Sequence, residues 1–335
     1  MEKEEKSIIE NQEEKVEETN VEPNNEECVD ISTSLSKEDL IKDIEDRRNN
    51  LLTSFKKSRN VSRILMGVVL VAIIGAIILI TFNEMVLKII GYIIAGVVLV
   101  GMLVFYFISK NKFPQSSREY IKEVSQYINS YVFSHKELVE AKLYPEKKLD
   151  RLSFDADQAY KDIVEVGSRN YIEFKYGDRL VSVNDTALYY QGEDRRRPRK
   201  VGFLGKYLSL DNNLKFEGRY VFNLHNSDKE KIIDQPNAID DLTLLQEDDN
   251  LMIYGPEGKE FDKIFDKSFV KELKAINVES PLLNLVVVVW ASHTAIYLSY
   301  DDPVTTLPFE HPFNADAQKK YQDDLLDILH LLGNK

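Results

Sequence analysis

The sequence predicts an α+β soluble domain, with a mostly antiparallel sheet and flanking helices, anchored by a two-helix transmembrane hairpin. Two uncharged apolar runs, at 64–82 and 89–108, predict the hairpin, since each is close to the ~20 residues that a helix needs to cross a bilayer. Several short segments rich in β-branched and aromatic residues, separated by Gly, Pro, Asp and Asn, predict the sheet. The length of 335 residues fits about two domains.

Residues 1–35 form an acidic segment without an aromatic side chain. Twelve acidic and three basic residues give positions 1–36 a formal charge of −9, and such a composition buries too little apolar surface to offset the entropy of ordering. The segment is therefore predicted to be a disordered tail without the apolar core of a signal peptide. Its Cys28 is the only cysteine of the sequence, which excludes an internal disulfide or a Cys-based zinc site.

An amphipathic cytoplasmic helix is predicted for 36–63. Ser36 and Asp39 have the spacing of a capping box, in which a hydroxyl and a carboxylate satisfy the first free N–H groups of a helix. Apolar residues then recur on one helical face, at Leu40, Ile44, Leu51, Leu52 and Phe55.

Only six residues join the two apolar runs, so the sequence predicts a tight antiparallel transmembrane hairpin at 64–108. The alternative is a pair of buried core helices in a soluble protein, which are rarely uncharged over two consecutive runs. Small residues four apart, at Ala72/Ala76 and Gly91/Ala95, predict close approach of the helices, or else they face lipid. Association of several copies into a homo-oligomer through the hairpin is a further prediction.

Basic residues flank the hairpin at the ends away from its connecting loop. They are Lys56, Lys57, Arg59 and Arg63 before it, preceded by Arg47 and Arg48, and Lys110, Lys112, Arg118 and Lys122 after it. The loop carries Lys88 alone, which Glu84 balances. Because positive flanks stay on the cytoplasmic side, the sequence predicts a two-span cell-membrane protein with both termini in the cytoplasm.

A second amphipathic helix, a stalk, is predicted for 109–150. Pro114 precedes another capping-box spacing, Ser116 to Glu119, and an apolar face follows at heptad-like intervals. This helix is expected to continue to about Leu143. Since it leaves the membrane beside the entering helix, the two are predicted to pair as a coiled-coil stalk; the alternative is that each packs separately on the domain.

Residues 151–335 are predicted to form an α+β cytoplasmic domain, with helices at 152–166 and 268–276. The expected strands are 171–174, 180–183, 187–190, 203–210, 216–224, 242–245 and 251–254. The apolar run 283–290 is predicted to be a central strand that turns back into 295–300, and Asn314 to cap a closing amphipathic helix. A formal charge of −7 from residue 109 onward argues against nucleic acid as a partner.

Three stretches of this domain carry a resemblance. Phe216–Phe222 has a strand pattern with a glycine after Phe-x, Glu260–Phe265 is an acidic Phe-x-x-x-Phe stretch, and the hairpin Leu285–Tyr300 precedes Phe309 and a terminal helix. With the earlier helix and two-span hairpin, over roughly residues 40–332, they resemble the bacterial membrane-protein family known as domain of unknown function 3137. The resemblance implies this architecture and a bacterial source, and it implies no catalytic residue.

The sequence contains no nucleotide-binding, serine-hydrolase or zinc-protease motif, so no catalytic residue, cofactor or metal ligand is predicted. One basic run stands out in the acidic domain and is predicted to contact anionic lipid headgroups. Its members are Arg195, Arg196, Arg197, Arg199 and Lys200. The alternatives are nucleic-acid binding and a loop with local salt bridges to Glu193, Asp194 or the acidic tail.

These features favour a membrane-anchored cytoplasmic interaction or scaffold module that binds an unknown protein partner or the inner leaflet. The alternative is a membrane-bound hydrolase with an unrecognised active site. Its candidate residues are Tyr189, Tyr190, Glu193, His225 and His293. A transport subunit is disfavoured, because two uncharged spans offer no ion path unless several copies assemble.

Overall fold

The computed structural model describes residues 28–31, 36–81, 84–194, 197–225, 236–257, 261–276, 278, 282–300 and 312–333. Two long helices, α1 (Lys37–Thr81) and α2 (Met85–Val132), precede an antiparallel sheet. The strands are β1 (Val29–Asp30), β2 (Val139–Tyr144), β3 (Ile163–Tyr176), β4 (Arg179–Asp194), β5 (Arg197–Asp211), β6 (Arg219–His225), β7 (Thr243–Glu247), β8 (Leu251–Gly255), β9 (Leu282–Trp290) and β10 (His293–Tyr300). The shorter helices are α3 (Arg151–Asp157), α4 (Phe261–Ile264), α5 (Lys267–Ala275) and α6 (Ala315–Gly333).

The described strands form one sheet in the order β1-β2-β3-β4-β5-β10-β9-β6-β8-β7, and every neighbouring pair is antiparallel. This confirms the predicted α+β class. It also confirms the apolar run at 283–290 as an inner strand, since β9 pairs with β10 on one side and β6 on the other. A strand buried on both faces needs a continuous apolar run, because successive side chains point to opposite sides.

The two faces of the sheet have separate cores, which β9 illustrates. Its Leu285, Val287 and Val289 belong to a core beneath α5, α6 and the base of α1 and α2; we call this the helical face. Its Val286 and Val288 belong to a second core with Phe154 of α3, which we call the α3 face. Each large apolar side chain that is fully buried in these cores contributes about 1.5–3 kcal/mol.

Helices α1 and α2 pack antiparallel along their length. Near the loop, a Cβ on Gly91 would lie 2.9 Å from the Ala76 carbonyl oxygen and 2.8 Å from Ile80 Cγ1, so only glycine allows this approach. Far from the loop, Arg47 Nη2 donates to the Tyr127 hydroxyl at 2.8 Å. The predicted close approach at Gly91 is thus confirmed. We call the part of α1 after Phe55 and of α2 before Val124 the arm.

The base of the arm joins the sheet. Ile44, Val124 and Ile128 are buried against each other, with Leu51, Leu52 and Phe55 packed around them. The Glu45 carboxylate also accepts from the backbone N–H of Phe313, just before α6, at 2.6 Å. The two helices therefore pair with each other and also pack on the domain, while a coiled-coil geometry stays a prediction.

The predicted stalk helix at 109–150 is wrong at both ends. The structure has no new helix start at Pro114: α2 runs unbroken from Met85 to Val132, and it contacts α1 on both sides of the proline, at Gly91 and at Tyr127. The helix then ends well before Leu143. After Val132 the helical apolar spacing is lost, and Ala141 and Leu143 alternate into the core as part of β2.

Three other expectations need correction. The predicted disordered tail contains β1, which pairs with β2 because Ile31 beside it is fully buried; residues 1–27 and 32–35 lie outside the described residues. The helix expected at 152–166 stops at Asp157, and β3 begins at Ile163. The strands expected at 180–183 and 187–190 are one strand, β4, because the polar residues between them are buried within the sheet.

Candidate functional site

A buried carboxylate, Asp157, lies where α3 meets the β9–β10 hairpin. Asp150 begins α3 as its N-cap, accepting from the Ser153 N–H at 3.2 Å, and Gln158 ends it in the left-handed conformation at φ 54°. These two signals fix Asp157 as the last residue of the helix. Its side chain is only 2% exposed, a depth at which an ionised carboxylate requires several donors.

Residues of the hairpin supply those donors. The Tyr297 hydroxyl donates to Asp157 Oδ2 at 2.7 Å, and His293 Nε2 lies 3.1 Å from Oδ1. Trp290 Nε1–H donates to the Asp157 backbone carbonyl at 3.1 Å and its ring stacks on His293. Burial, reinforced by the Asp157 charge, raises the pKa of Tyr207 and Tyr297 well above the usual range, so both phenols stay protonated.

The exposed turn residue Ser292 extends this set. Its Oγ lies 3.2 Å from His293 Nδ1, while the other ring nitrogen faces the Asp157 carboxylate. A carboxylate at Nε2 favours the tautomer with the proton there, which leaves Nδ1 as an acceptor for the Ser292 hydroxyl. A hydroxyl, an imidazole and a buried carboxylate in line are the groups that acyl-transfer enzymes use to activate a serine.

A surface cavity of about 320 Å³ opens beside this cluster, lined by α3, the residues that follow it and the start of β6. Arg219 is 3% exposed and holds Asp241 through two bonds of 2.7 Å, while its guanidinium lies 5.6 Å from the Trp290 ring centre. The Arg219 hydrogen bonds lower the pKa of Asp241 below its usual range. Lys161 and Asp240 form a second ion pair at the rim. Both cations that line the cavity, Lys161 and Arg219, are thus paired with a carboxylate.

The residues proposed for a hydrolase do not converge. His293 belongs to the Asp157 cluster, but His225 is buried at the opposite end of β6, and Tyr190 packs against Gly202 on β5. The Glu193 side chain lies outside the described residues. Among the described residues no three His, Cys, Asp or Glu side chains come together to hold a metal ion. Sequence reasoning missed Asp157, because no local pattern marks a residue 136 positions away from its histidine.

The basic run lies at the β4–β5 hairpin. Arg195 and Arg196 are outside the described residues, as is the side chain of Arg197, whose backbone begins β5. Arg199 and Lys200 are exposed, and Arg199 pairs with Glu165 of β3 at 2.5 Å. Arg199 and Lys200 therefore belong to β5, where Arg199 has an ion-pair partner and both side chains are exposed.

The arm exposes a long apolar surface. Within the described residues, Met85–Leu103 is long and apolar enough to span a membrane, with a mean hydropathy of 2.4 and 6% of its residues buried; Met66–Thr81 is apolar but shorter. Among the predicted orientation-setting flanks, Lys56, Lys57 and Arg63 are exposed. The side chains of Arg59, Lys110 and Lys112 lie outside the described residues.

Contacts along α6 fix the direction of β4. Near the end of α6 the Leu332 carbonyl accepts from Arg179, the first residue of β4, at 3.0 Å. Near its beginning the Tyr321 ring lies 4.9 Å from Lys206 Nζ, which forms an ion pair with Asp185 in the middle of β4. The strand therefore runs from the C-terminal toward the N-terminal end of α6.

Contacts of the chain around α2 give the same direction for the arm. Glu137 Oε2, just after the helix, lies 2.7 Å from His330 Nε2 near the end of α6, while the Tyr131 ring contacts Phe313 edge-to-face before the beginning of α6. Followed from Val132 back toward Met85, α2 thus leads toward the N-terminal end of α6, which is also the direction of β4. Up to Asp185, β4 therefore runs toward the same end of α6 as the arm does.

No family model matches the sequence, and no curated protein or solved structure matches it either. The resemblance to the family of domain of unknown function 3137 therefore stays a prediction.

Proposed function

We propose that this is a two-span membrane protein whose α+β domain is an interaction module held at the cytoplasmic membrane surface. The observation that carries the proposal is the exposed apolar helix Met85–Leu103. Side chains such as Val97 and Val100 are 68% and 59% exposed, although the domain beside them buries its apolar residues. An apolar surface of this length requires another medium to cover it, and a bilayer has the matching thickness.

A second span follows from the first, because the two apolar stretches are paired. The described apolar stretch Met66–Thr81 pairs with α2 around Gly91, so it shares the same depth. In the sequence the uncharged run extends over 64–82, close to the length of a spanning helix. Basic flanks on both outer ends favour cytoplasmic termini. Close packing at Ala76 and Gly91 uses these small residues within one hairpin, so oligomers would need other faces.

The basic β4–β5 hairpin supports lipid contact as part of the same function. The strand that leads to it runs, up to Asp185, toward the end of α6 at which the arm lies, and Arg199 and Lys200 are exposed on the hairpin. Basic residues near an anionic leaflet gain about 1 kcal/mol each. The acidic body, with −7 from residue 109 onward, makes nucleic acid an unfavourable partner and leaves a protein as the partner of the rest of the surface.

Membrane integration is tested by washing isolated membranes with alkaline carbonate. The full chain is expected to remain in the pellet with known integral proteins, because its apolar helix cannot be solvated by water. Release into the supernatant would refute the anchor. Mild cross-linking of the same membranes, followed by mass spectrometry, is expected to recover one protein enriched over a chain lacking residues 151–335; equal recovery would refute the interaction module.

Lipid contact is tested in nanodiscs by hydrogen–deuterium exchange of the β4–β5 hairpin. Its amides are expected to exchange more slowly in discs with one-third phosphatidylglycerol than in phosphatidylcholine discs. Arg199→Gln with Lys200→Gln should remove the difference. The matched control is Lys267→Gln with Lys271→Gln, two exposed lysines of α5, which should retain it. Identical exchange in both lipids would contradict the contact.

A second candidate function is acyl-ester hydrolysis, and the in-line arrangement of Ser292, His293 and Asp157 favours it. In this reaction Ser292 Oγ attacks the ester carbonyl carbon, and its proton passes to His293 Nδ1. The C–O bond to the alcohol breaks, and the alcohol leaves with that proton. Water then cleaves the acyl-serine, releasing the acid and restoring the hydroxyl. The buried Asp157 carboxylate stabilises the imidazolium throughout.

This activity is tested with 4-nitrophenyl acetate and the purified full chain. Ser292→Ala is expected to reduce hydrolysis at least 100-fold without a change in unfolding temperature, because the side chain is exposed. Ser268→Ala, an exposed serine on α5, is the control and should have no effect. If wild type and Ser292→Ala hydrolyse the ester equally, the three residues form only a structural hydrogen-bond set.

A further inference from the structure

A further surface cavity, of about 370 Å³, lies beside β7, the last strand of the described sheet. Helices α4 and α5 form one side of it, and Gln246 of β7 lines the other. The register of β7 shifts between Leu244 and Gln246, and this bulge lets Gln246 lie at the helical face beside Leu245, which packs against the core there. We call this space the β7 cavity.

The lining of the β7 cavity has an apolar part. Phe261 and Val270 are partly exposed there, and the ring centre of Phe265, which also lines the cavity, lies 5.5 Å from that of Phe261. These residues offer a large apolar side chain a surface to pack on, at a position that the domain itself leaves open to solvent.

Three lysines of α5 line the same cavity: Lys267, Lys271 and Lys274. Because they are four and three residues apart, they lie on one face of the helix. Lys274 pairs with Asp248 after β7, whereas the exposed Lys267 and Lys271 form no ion pair with a described residue. With Lys274 neutralised and Asp262 also in the lining, the cavity keeps a net charge of +1 in a domain that carries −7 from residue 109 onward.

The cavity borders an open edge of the sheet. β7 pairs with β8 on one side, and its other side pairs with no strand among the described residues. Such an edge presents backbone N–H and C=O groups, to which an extended peptide can bond as an additional strand. Leu244 adds apolar surface at 45% exposure, and β7 contains none of the Lys or Pro residues that commonly protect an edge.

We propose that β7 and the β7 cavity bind an extended segment of a partner protein in which an acidic residue stands two positions from a large apolar one. Side chains two apart lie on the same face of a strand, so both enter the cavity together. The apolar side chain packs on Phe261 and Val270, and the carboxylate pairs with Lys267 and Lys271. Their spacing of four residues, ~6 Å along α5, lets one carboxylate lie between them.

The position of the cavity favours a protein segment over a lipid headgroup. Phe265 lines the β7 cavity and also a narrow cleft with Leu332 at the end of α6, whereas Tyr131 of α2 contacts Phe313 before the beginning of α6. The cavity therefore lies away from the end of α6 at which the arm lies. The inference specifies the partner of the proposed interaction module and rests on that part of the proposed function.

The test measures the fluorescence anisotropy of a labelled peptide, Thr-Phe-Thr-Asp-Thr-Val-Thr, with the full chain in phosphatidylcholine nanodiscs. Lys267→Gln with Lys271→Gln is expected to weaken binding about 10-fold, which corresponds to the loss of two exposed ion pairs. The matched control is Lys136→Gln with Lys142→Gln, two exposed lysines near the opposite edge of the sheet, and it should bind like wild type. The reordered peptide Thr-Phe-Asp-Thr-Thr-Val-Thr turns its carboxylate to the other face and should bind about 10-fold more weakly to wild type.

Backbone pairing is tested with the first peptide N-methylated at every second residue. Methylation in one register should abolish binding and in the other register should spare it, because alternate residues of a strand direct their N–H groups to opposite sides. Any other pattern would contradict strand addition. The proposal would be overturned by absence of peptide binding, by equal affinity of the two peptide orders, or by equal affinity of wild type and the α5 variant. Phenylpropionate that binds as tightly as the peptide would also overturn it, since a small carboxylate would then suffice.

Failure of this inference is distinguishable from failure of the proposed function. In cross-linked membranes, the chain with Lys267→Gln and Lys271→Gln should recover less of the enriched partner than wild type does. Recovery equal to wild type would overturn this surface and leave the interaction module intact, whereas a wild-type chain that enriches no protein would refute the interaction module itself.

Discussion

The arm and the sheet treat apolar side chains in opposite ways. In the arm, apolar residues of α2 such as Met85 and Val97 are 77% and 68% exposed. The neighbouring stretch of α1, residues 66–81, contains no charged residue. In the sheet, Phe222 on the helical face and Val286 on the α3 face are both fully buried in a core. The difference indicates two surroundings: the sheet supplies its own core, whereas the arm needs a medium from outside the chain.

Polar groups show the same contrast in reverse. The sheet buries Asp157 and the Asp185–Lys206 pair, and it satisfies them with donors and counter-charges. The arm keeps charges to its ends, at residues such as Lys56 and Lys57. A domain in water can bury a charge together with its counter-charge. A helix that spans a bilayer, as we propose for the arm, has to keep charges out of the hydrocarbon.

The largest expected effect separates the two regions directly. Phe222→Ala removes a fully buried ring that contacts Phe265 and Phe269 edge-to-face, so it should cost about 3–5 kcal/mol of unfolding free energy. The matched change Val97→Ala, in the exposed part of the arm, should cost less than about 0.5 kcal/mol. Urea unfolding in micelles measures both. Similar losses would mean that the arm is covered by protein after all.

An intermediate effect is expected where the two helices of the arm touch. Gly91→Leu would place a side chain against the Ala76 carbonyl and Ile80, so overpacking should cost about 1–3 kcal/mol. Gly96→Leu is the control, because nothing lies within 4 Å of a Cβ at that position. Thermal melting of the helical circular dichroism in micelles distinguishes them. If both variants melt alike, α1 and α2 do not pack as described here.

The smallest effect is a pH dependence in the sheet domain. Hydrogen bonds from Arg219 lower the pKa of Asp241 below its ordinary 3.8, so the stabilisation is complete above that value and is lost as pH falls through the lower, folded pKa. Since the Asp241 side chain is 64% exposed, the effect should not exceed about 1 kcal/mol. Asp241→Asn should unfold less stably than wild type at pH 7 and equally at pH 2; an unchanged difference would contradict the ion pair.

Much of the domain could be predicted from local patterns. The apolar run of β9, the turn into β10 and the Asn314 cap of α6, which accepts from Ala317 N–H at 3.0 Å, all follow from nearby residues. The break expected within β4 was wrong, because Asp185 looks like a turn residue in sequence. Its partners, Lys206 and Asn170, are distant in sequence and become neighbours only in the sheet.

The sites were harder to predict for the same reason. His293 could be suspected, but its carboxylate, Asp157, comes from a helix 136 positions earlier. The buried hydroxyls of Thr186 and Ser299 are a similar case, since the two residues come into line only once β4, β5 and β10 are in register. Short-range periodicity identifies which face of a strand is buried, and it carries no information about which strands meet.

The central claim, that the arm crosses the membrane twice, is tested most directly with Cys28, the only cysteine and an exposed one. Spheroplasts are treated with a membrane-impermeant maleimide before and after lysis. A second chain, Cys28→Ser with Lys271→Cys, reports on the exposed α5 surface. Two spans predict that both cysteines react only after lysis. If Met85–Leu103 crosses alone, the two sites lie on opposite sides and one of them reacts in intact spheroplasts, which would contradict the two-span hairpin.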